Sequence, residues 1–499
     1  MIRIDTNRTV QKLHNFWNHI HFHPTDAIED DWGRAILDCV AADKVATTVR
    51  MYAMLEDIVT CDGQGVLHYD FTLNDRRLDY MLSRGFDIFL SYNFIPPFLA
   101  RDAAQTSAVA KNKTRYKGKM IVTSPPSDYT VWEEICYEYT KHIVERYGKA
   151  VVASWHLQCL NEPDIKAFFM GDLENSEENA TVRLGEYLQL YRHFAKGIDR
   201  ACKGLCIGGP SVAKYLNFFE GFLQAAQKER LHLDFVSIHT YGTGPAHLNS
   251  GTIPFHAENT LHKHRRYVEI LRHYFPHIEL IADEWGAASH GFYNIEECPQ
   301  FAFREGSEYA AYFGKMVAAY IREGLAPSKM MICLSGQHEM VTDFSGFRNF
   351  FTLHGIRKPI YNAYVLMRKL GDQLLQSAWD DPAVSVLSTA NGTGKLSIML
   401  AYAAEHFDCE LPAVAEQLHL DGLVGKRHVT VWQIDESHTN PYKLSLREGM
   451  GDHPTEEQLT RLRAEGELKP VADYDIDLDG STPLSVSFES NALLLIEIA

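Results

Sequence analysis

The chain has 499 residues, 45% of them hydrophobic and 23% charged, and a formal net charge of -17. That composition excludes a disordered, collagenous or disulfide-framework protein. No apolar run approaches the ~20 residues of a membrane span, and the acidic balance argues against nucleic acid or an anionic membrane as partner. The opening MIRIDTNRTV has no apolar signal-peptide core. A cytoplasmic, reducing setting is therefore the expectation, and the nine cysteines read as core or inert thiols.

Short apolar runs alternate with stretches whose apolar residues recur at helical spacing. The strand candidates are Leu13–His19, Val45–Met51, Phe86–Tyr92, Ala153–Leu160, Leu205–Gly208, Leu233–His239, Ile278–Asp283 and Met330–Ser335. Helical patterns follow each of them: Ile28–Ala41, Asp75–Ser83, Val131–Tyr147, Leu184–Ala201, Tyr215–Ala226, His256–Tyr274, Ser307–Arg322 and Pro359–Leu370. Eight such units predict an α/β protein built as a (β/α)8 barrel over residues 13–372. A doubly wound open sheet would want a Gly-rich turn after its first strand, and none is there. Beyond residue 372 the pattern changes to short alternating runs, Leu396–Leu400, Leu484–Phe488 and Leu493–Ile498. These predict an antiparallel β-sandwich over 373–499, joined by a strand from residues 1–12, where Ile2-Arg3-Ile4 alternates. The loop after the third strand carries Lys111, Lys113, Arg115, Lys117 and Lys119 at every second position. It reads as a solvated or oligomer-contacting segment, with gripping of an anionic substrate as the second reading.

The chemistry concentrates at the ends of strands. The fourth runs into Asn161-Glu162-Pro163, where Pro163 stops the strand and stiffens the turn that aims Glu162. The seventh runs into Asp283-Glu284-Trp285, an acid beside an aromatic face on which a sugar ring would stack. Two carboxylates at one barrel mouth are what glycoside cleavage requires. One protonates the leaving oxygen; the other attacks the anomeric carbon or activates water. A separation of ~5–5.5 Å implies retention of configuration and ~6.5–9.5 Å implies inversion, so the sequence leaves that choice open. The sixth strand ends in His239-Thr240-Tyr241, whose polar groups suit a sugar hydroxyl or a neighbouring carboxylate. Asn161 suits the sugar 2-hydroxyl. Glu339, after the eighth strand, is a third acid at the same rim. A competing reading takes His19, His21 and His23, at alternate positions, as ligands of a divalent metal. Of the further ligands that a metal-dependent barrel hydrolase needs, only His239 fits, which leaves His23 and its neighbours a sugar-facing or structural role. A non-catalytic carbohydrate-binding protein would leave one of the two acids idle. The two-carboxylate reading calls for no cofactor and no metal, and its partner is an oligosaccharide or glycoside.

Taken together, these segments resemble glycoside hydrolase family 39, the β-xylosidase and α-L-iduronidase family. The resemblance rests on Leu13–Trp17, Val49-Arg50, Asn93-Phe94-Ile95-Pro96, Ser124-Pro125-Pro126, Asn161-Glu162-Pro163, Gly208-Gly209-Pro210, His239-Thr240-Tyr241, Glu284-Trp285 and Gly355–Pro359, in that order. It implies retention, with Glu162 as acid/base and Glu284 as nucleophile. It also implies a sugar site lined by Asn161, His239, Tyr241 and Glu339, and a homo-oligomer, as family members often are. The chain departs from the family at Tyr52, where a His is usual, and at Gln158, Leu160 and Gly286. The loop His21–Thr25 and the segment Leu334-Ser335-Gly336 depart as well. These positions surround the substrate, so the mechanism is better specified than the sugar. Xylose is the default; arabinose, glucose, galactose and a uronic acid stay open.

Overall fold

The computed structural model describes residues 1–22, 31–108, 120–243, 257–291, 293–335, 340–405, 407 and 411–499. The basic positions 111–119, His23 and Glu339 lie outside the described residues. Eight parallel strands close into a barrel: His19–Phe22, Thr48–Tyr52, Asp87–Tyr92, His156–Cys159, Cys206–Val212, Phe235–Thr243, Glu279–Ala288 and Lys329–Leu334. Consecutive strands pair with one another around the ring, as short right-handed crossovers through helices dictate.

The first strand corrects an expectation. The run from Leu13 to Asn18 is turn rather than strand, and the strand begins at His19. Leu13, Phe16 and Trp17 are buried, but their backbone serves the neighbouring elements. The Leu13 amide donates to the Asp372 carbonyl at 2.7 Å, and the Phe16 carbonyl accepts from Met330 at 2.6 Å. The run is apolar because it plugs the N-terminal end of the barrel. Strands five, six and seven differ in the other direction, running on to Val212, Thr243 and Ala288, past their expected ends at Gly208, His239 and Asp283.

Inside the barrel, period-two alternation sets out three levels. Phe89, Phe235, Ile281 and Met331 form a small apolar cluster at the floor. Above it, Arg50, Ser91, Gln158, Ser237 and Asp283 are buried polar groups. The mouth carries His21, Glu162, His239, Tyr241 and Glu284.

Among the described residues, a second, nine-stranded sheet runs in the order Pro470–Leu478, Gly425–Ile434, Ala492–Ile498, Leu396–Tyr402, Val384–Ala390, Gln373–Trp379, Ile2–Lys12, Val414–Asp421 and Leu484–Phe488. It curls over its own core of Ile2, Ile4, Ile398, Leu400, Leu418, Val429, Phe488 and Ile496. Residues 435–469 interrupt it with two helices, Pro441–Arg447 and Glu456–Gly466. The second opens with a capping box between Thr455 and Gln458.

The barrel helix Ser307–Arg322 is buried along nearly its whole length, because it lies between strand seven and the second sheet. Gly314 marks the closest approach. A Cβ there would meet the Leu493 Cδ1 at 2.6 Å and the Ala401 Cβ at 2.9 Å. Gly314→Val is expected to wedge the two domains apart and cost about 1–3 kcal/mol, read as a lower denaturation midpoint. An unchanged midpoint would mean that the junction is loosely packed.

Candidate active site

The site is built around Arg50, which has no exposed surface. It is the middle residue of strand two, where alternation turns it into the barrel. Its Nη1 donates to Glu284 Oε1 at 2.9 Å. Its Nη2 reaches Asn161 Oδ1 at 2.7 Å, Gln158 Oε1 at 2.8 Å and Asp283 Oδ2 at 3.2 Å. One planar fork thereby ties together strands two, four and seven.

Asp283 and Glu284 both point inward although they are consecutive. Ile238 pairs with Ala282, but His239 pairs with Glu284. On the other side Ala282 pairs with Met330 and Trp285 with Ile332. Asp283 is therefore an extra residue in strand seven, and a bulge of this kind sends two successive side chains to one side. A matching irregularity on strand five leaves Ser211 as the extra residue, with φ of 56°. Its hydroxyl donates to Asp283 Oδ2 at 2.8 Å and lies 2.9 Å from His239 Nε2.

The bulge also corrects the reading of Trp285 as a sugar platform. Trp285 is fully buried and turned outward, its ring stacked on Tyr312 at 5.7 Å and Tyr309 at 6.3 Å. One extra residue reverses the face of everything that follows it. Trp285→Ala should cost about 3–5 kcal/mol of stability, while Trp285→Phe should lower stability with KM unchanged. A sugar platform would show the opposite pattern, a raised KM at unaltered stability.

Glu162 sits beyond the end of strand four in a turn where Leu160 (φ 60°) and Glu162 (φ 46°) are both left-handed. Such backbone persists only where its surroundings hold it. Here the Glu162 amide donates to the Ser211 carbonyl at 3.2 Å, and the Asn161 amide to Asn93 Oδ1 at 2.8 Å. Asp164 then accepts the amides of Ala213, Lys214 and Tyr215. The turn is thus stapled to the end of strand five.

His239, with no exposed surface, stands between the two acids. Its Nδ1 is 2.6 Å from Glu162 Oε1 and 3.7 Å from Glu284 Oε2. One oxygen of each acid and one ring nitrogen of His239 all lie within 4.8 Å of one another. Tyr241 donates to Glu284 Oε2 at 2.7 Å and accepts from Arg348 Nη1 at the same distance. Arg348 is further held by Ser335. Asn161 keeps its amide nitrogen free of any partner among the described residues.

These surroundings drive the two acids apart. Burial raises the Glu162 carboxyl above the ordinary range, helped by Glu284 and Asp164 and opposed by His239. Burial pushes Glu284 the same way, but His239, His21, Arg50 and Arg348 hold it well below that range. Burial disfavours charge on His239, yet Glu284, Asp283 and Glu162 raise it to about 10. The two carboxyl groups that face one gap are thus shifted in opposite directions, the pattern that separates an acid from a carboxylate nucleophile.

Of the three alternating histidines, His19 lies at the floor, where burial, with Lys329 and His156 nearby, lowers it to about 3. His21 stands at the mouth, with Nε2 3.6 Å from Glu284 Oε1. A shared three-histidine metal site does not form from that pair, because they occupy different levels. Ligand-like spacing arises instead in two other sets, Glu162–His239–Glu284 and His21–Glu284–Cys333.

A model of the glycosyl hydrolases of family 39 matches residues 1–481. The chain belongs to that family. A β-xylosidase of Caldicellulosiruptor saccharolyticus is 25% identical over 94% of this chain and 92% of its own. The human α-L-iduronidase is 23% identical over 48% of this chain and 36% of its own. The crystal structure of a monomeric β-xylosidase from Caulobacter crescentus CB15 superposes with a TM-score of 0.82 at 22% identity, over 100% of this chain and 99% of that one. In this family 39 glycosidase the two acids are surrounded by Arg50, Ser211, Asp283 and Arg348, which the sequence did not single out for the site, and by Tyr52 and Gln158, which it marked only as departures from the family. Arg50 left a signal, a cation inside an apolar run. Arg348 left none, since it comes from a loop. Among the described residues no helix is long and apolar enough to cross a membrane.

Proposed function

We propose that this glycoside hydrolase is a retaining exo-glycosidase acting on short oligosaccharides, β-xylosidase-like, with Glu284 as nucleophile and Glu162 as acid/base. The observation that carries the reading is the spacing of the two carboxylates around His239, within 4.8 Å. Nearest oxygens that close suit the ~5–5.5 Å between carboxyl groups of a retaining enzyme better than the ~6.5–9.5 Å of an inverting one. Glu284, ionised and aimed by Arg50 and Tyr241, attacks the anomeric carbon. His239 donates to Glu162 Oε1, which leaves Oε2 to carry the proton toward the leaving oxygen. Once Glu284 is esterified, its charge no longer raises Glu162, which then accepts the proton of the incoming water. The free Asn161 amide is a donor for the sugar 2-hydroxyl, a bond that strengthens in the transition state. Two side chains and one relative support a second reading of the sugar, as a uronide. Arg348 is a buried cation beside Tyr241. Lys263 is half-buried, donates to the Ala213 carbonyl at 2.7 Å, and is lowered to about 8 by desolvation in spite of Asp164 and Glu162 nearby. The human relative is named for an iduronide. A panel of chromogenic xylosides, arabinosides, glucosides, galactosides and uronides separates the two.

Glu284→Ala is expected to abolish turnover, with azide restoring part of it and yielding a glycosyl azide of inverted configuration. Near-normal activity in that variant would remove Glu284 from the mechanism. For kcat/KM, loss on the acid side should follow protonation of Glu284, below the usual carboxylate range. Loss on the alkaline side should follow ionisation of Glu162, above it. Glu162→Ala, tested on a substrate with an activated leaving group, should lose the alkaline limb and keep the acid one. A profile that keeps both limbs would assign the acid to another residue.

A further inference from the structure

His21 and Cys333 are lateral partners on strands one and eight, in the register His21 to Cys333. Both turn into the barrel mouth beside Glu284. One ring nitrogen of His21, the Cys333 Sγ and one oxygen of Glu284 lie within 4.8 Å of one another. His21 Nε2 stands 3.6 Å from Glu284 Oε1, longer than a hydrogen bond and close to the edge of a tetrahedron drawn around an ion with ligands at ~2.0–2.3 Å. In the other set, Glu162–His239–Glu284, the 2.6 Å contact between His239 and Glu162 is a hydrogen bond and leaves no such gap.

We propose that His21, Cys333 and Glu284 form a binding site for a thiophilic d10 divalent cation of the zinc and cadmium type, and that its occupancy switches the enzyme off. The donor set of one imidazole, one thiolate and one carboxylate is the one such ions select over magnesium or calcium. Binding releases the Cys333 thiol proton to solvent. It also moves the His21 ring proton to Nδ1, which faces Arg50 Nη1 at 3.4 Å. That contact, with the repulsion from Arg50 and Arg348, keeps the affinity far below that of a closed structural zinc site. The site is therefore suited to inhibition rather than to a resident cofactor. Inhibition rests on Glu284 being the nucleophile: an ion on its Oε1 takes the lone pair used in attack and adds positive charge where the oxocarbenium-like transition state develops.

The test uses the full chain, reduced, with cadmium chloride as probe. Hydrolysis of a chromogenic glycoside, the thiolate-to-cadmium charge-transfer absorbance and calorimetric binding are followed together. Hydrolysis should fall with cadmium and return on adding EDTA. Cys333→Ser and His21→Gln, each compared with its own cadmium-free rate, should raise the half-inhibitory concentration about tenfold or more. Cys333→Ser should also remove the absorbance of one cadmium-bound thiolate per chain. If Cys333→Ser does not fold, His21→Gln carries the test alone. Wild-type sensitivity in both variants, or no binding that depends on Cys333, overturns the site and leaves the nucleophile reading standing. Cadmium held by Cys333 with hydrolysis unimpaired overturns the inhibition, and the azide experiment reports separately on Glu284 as nucleophile.

Discussion

A single buried guanidinium organises the mouth of this barrel. Arg50 has no contact with solvent, and a cation in that position is tolerable only where anions and oriented oxygens surround it. Glu284, Asp283, Asn161 and Gln158 supply them from strands four and seven. The dependence is mutual, because Arg50, together with His239, holds Glu284 and Asp283 below the ordinary carboxylate range. A lysine at the same position would offer a point charge with no fixed fork, and it would not hold four oxygens in one plane.

Around that centre, backbone irregularities do what regular strands cannot. A strict period of two would place only one of Asp283 and Glu284 inside. The extra residue in strand seven admits both, and the one in strand five brings the Ser211 hydroxyl between Asp283 and His239. The left-handed turn at Leu160 and Glu162 then swings the second acid over the mouth. Two glutamates of the same intrinsic acidity are thereby shifted in opposite directions. The one held by His239, His21, Arg50 and Arg348 falls well below the ordinary carboxylate range, and burial, with Glu284 and Asp164 nearby, raises the other above it.

Much of the architecture was legible in the sequence. Eight apolar runs interleaved with helical patterns suffice for a barrel, because period and length report which face is buried. Ends of elements were less legible. Leu13–Trp17 is as apolar as a strand, yet it is a plug, and composition does not distinguish the two. In the second sheet, Leu396–Tyr402, Leu484–Phe488 and Ala492–Ile498 alternate clearly. Gly425–Ile434 and Pro470–Leu478, nearer one edge and half exposed, carry too many polar residues to stand out.

The sequence by itself placed two acids at the ends of the fourth and seventh apolar runs of one barrel, since a carboxylate that closes a buried run is most easily accommodated at the barrel mouth. Only the tertiary structure decided how far apart they stand, which way the acidity of each is shifted, and which way Trp285 faces. Distance, acidity and facing direction depend on one-residue insertions in pairing register and on cations such as Arg50 and Arg348, brought from distant parts of the chain, and no local pattern encodes either.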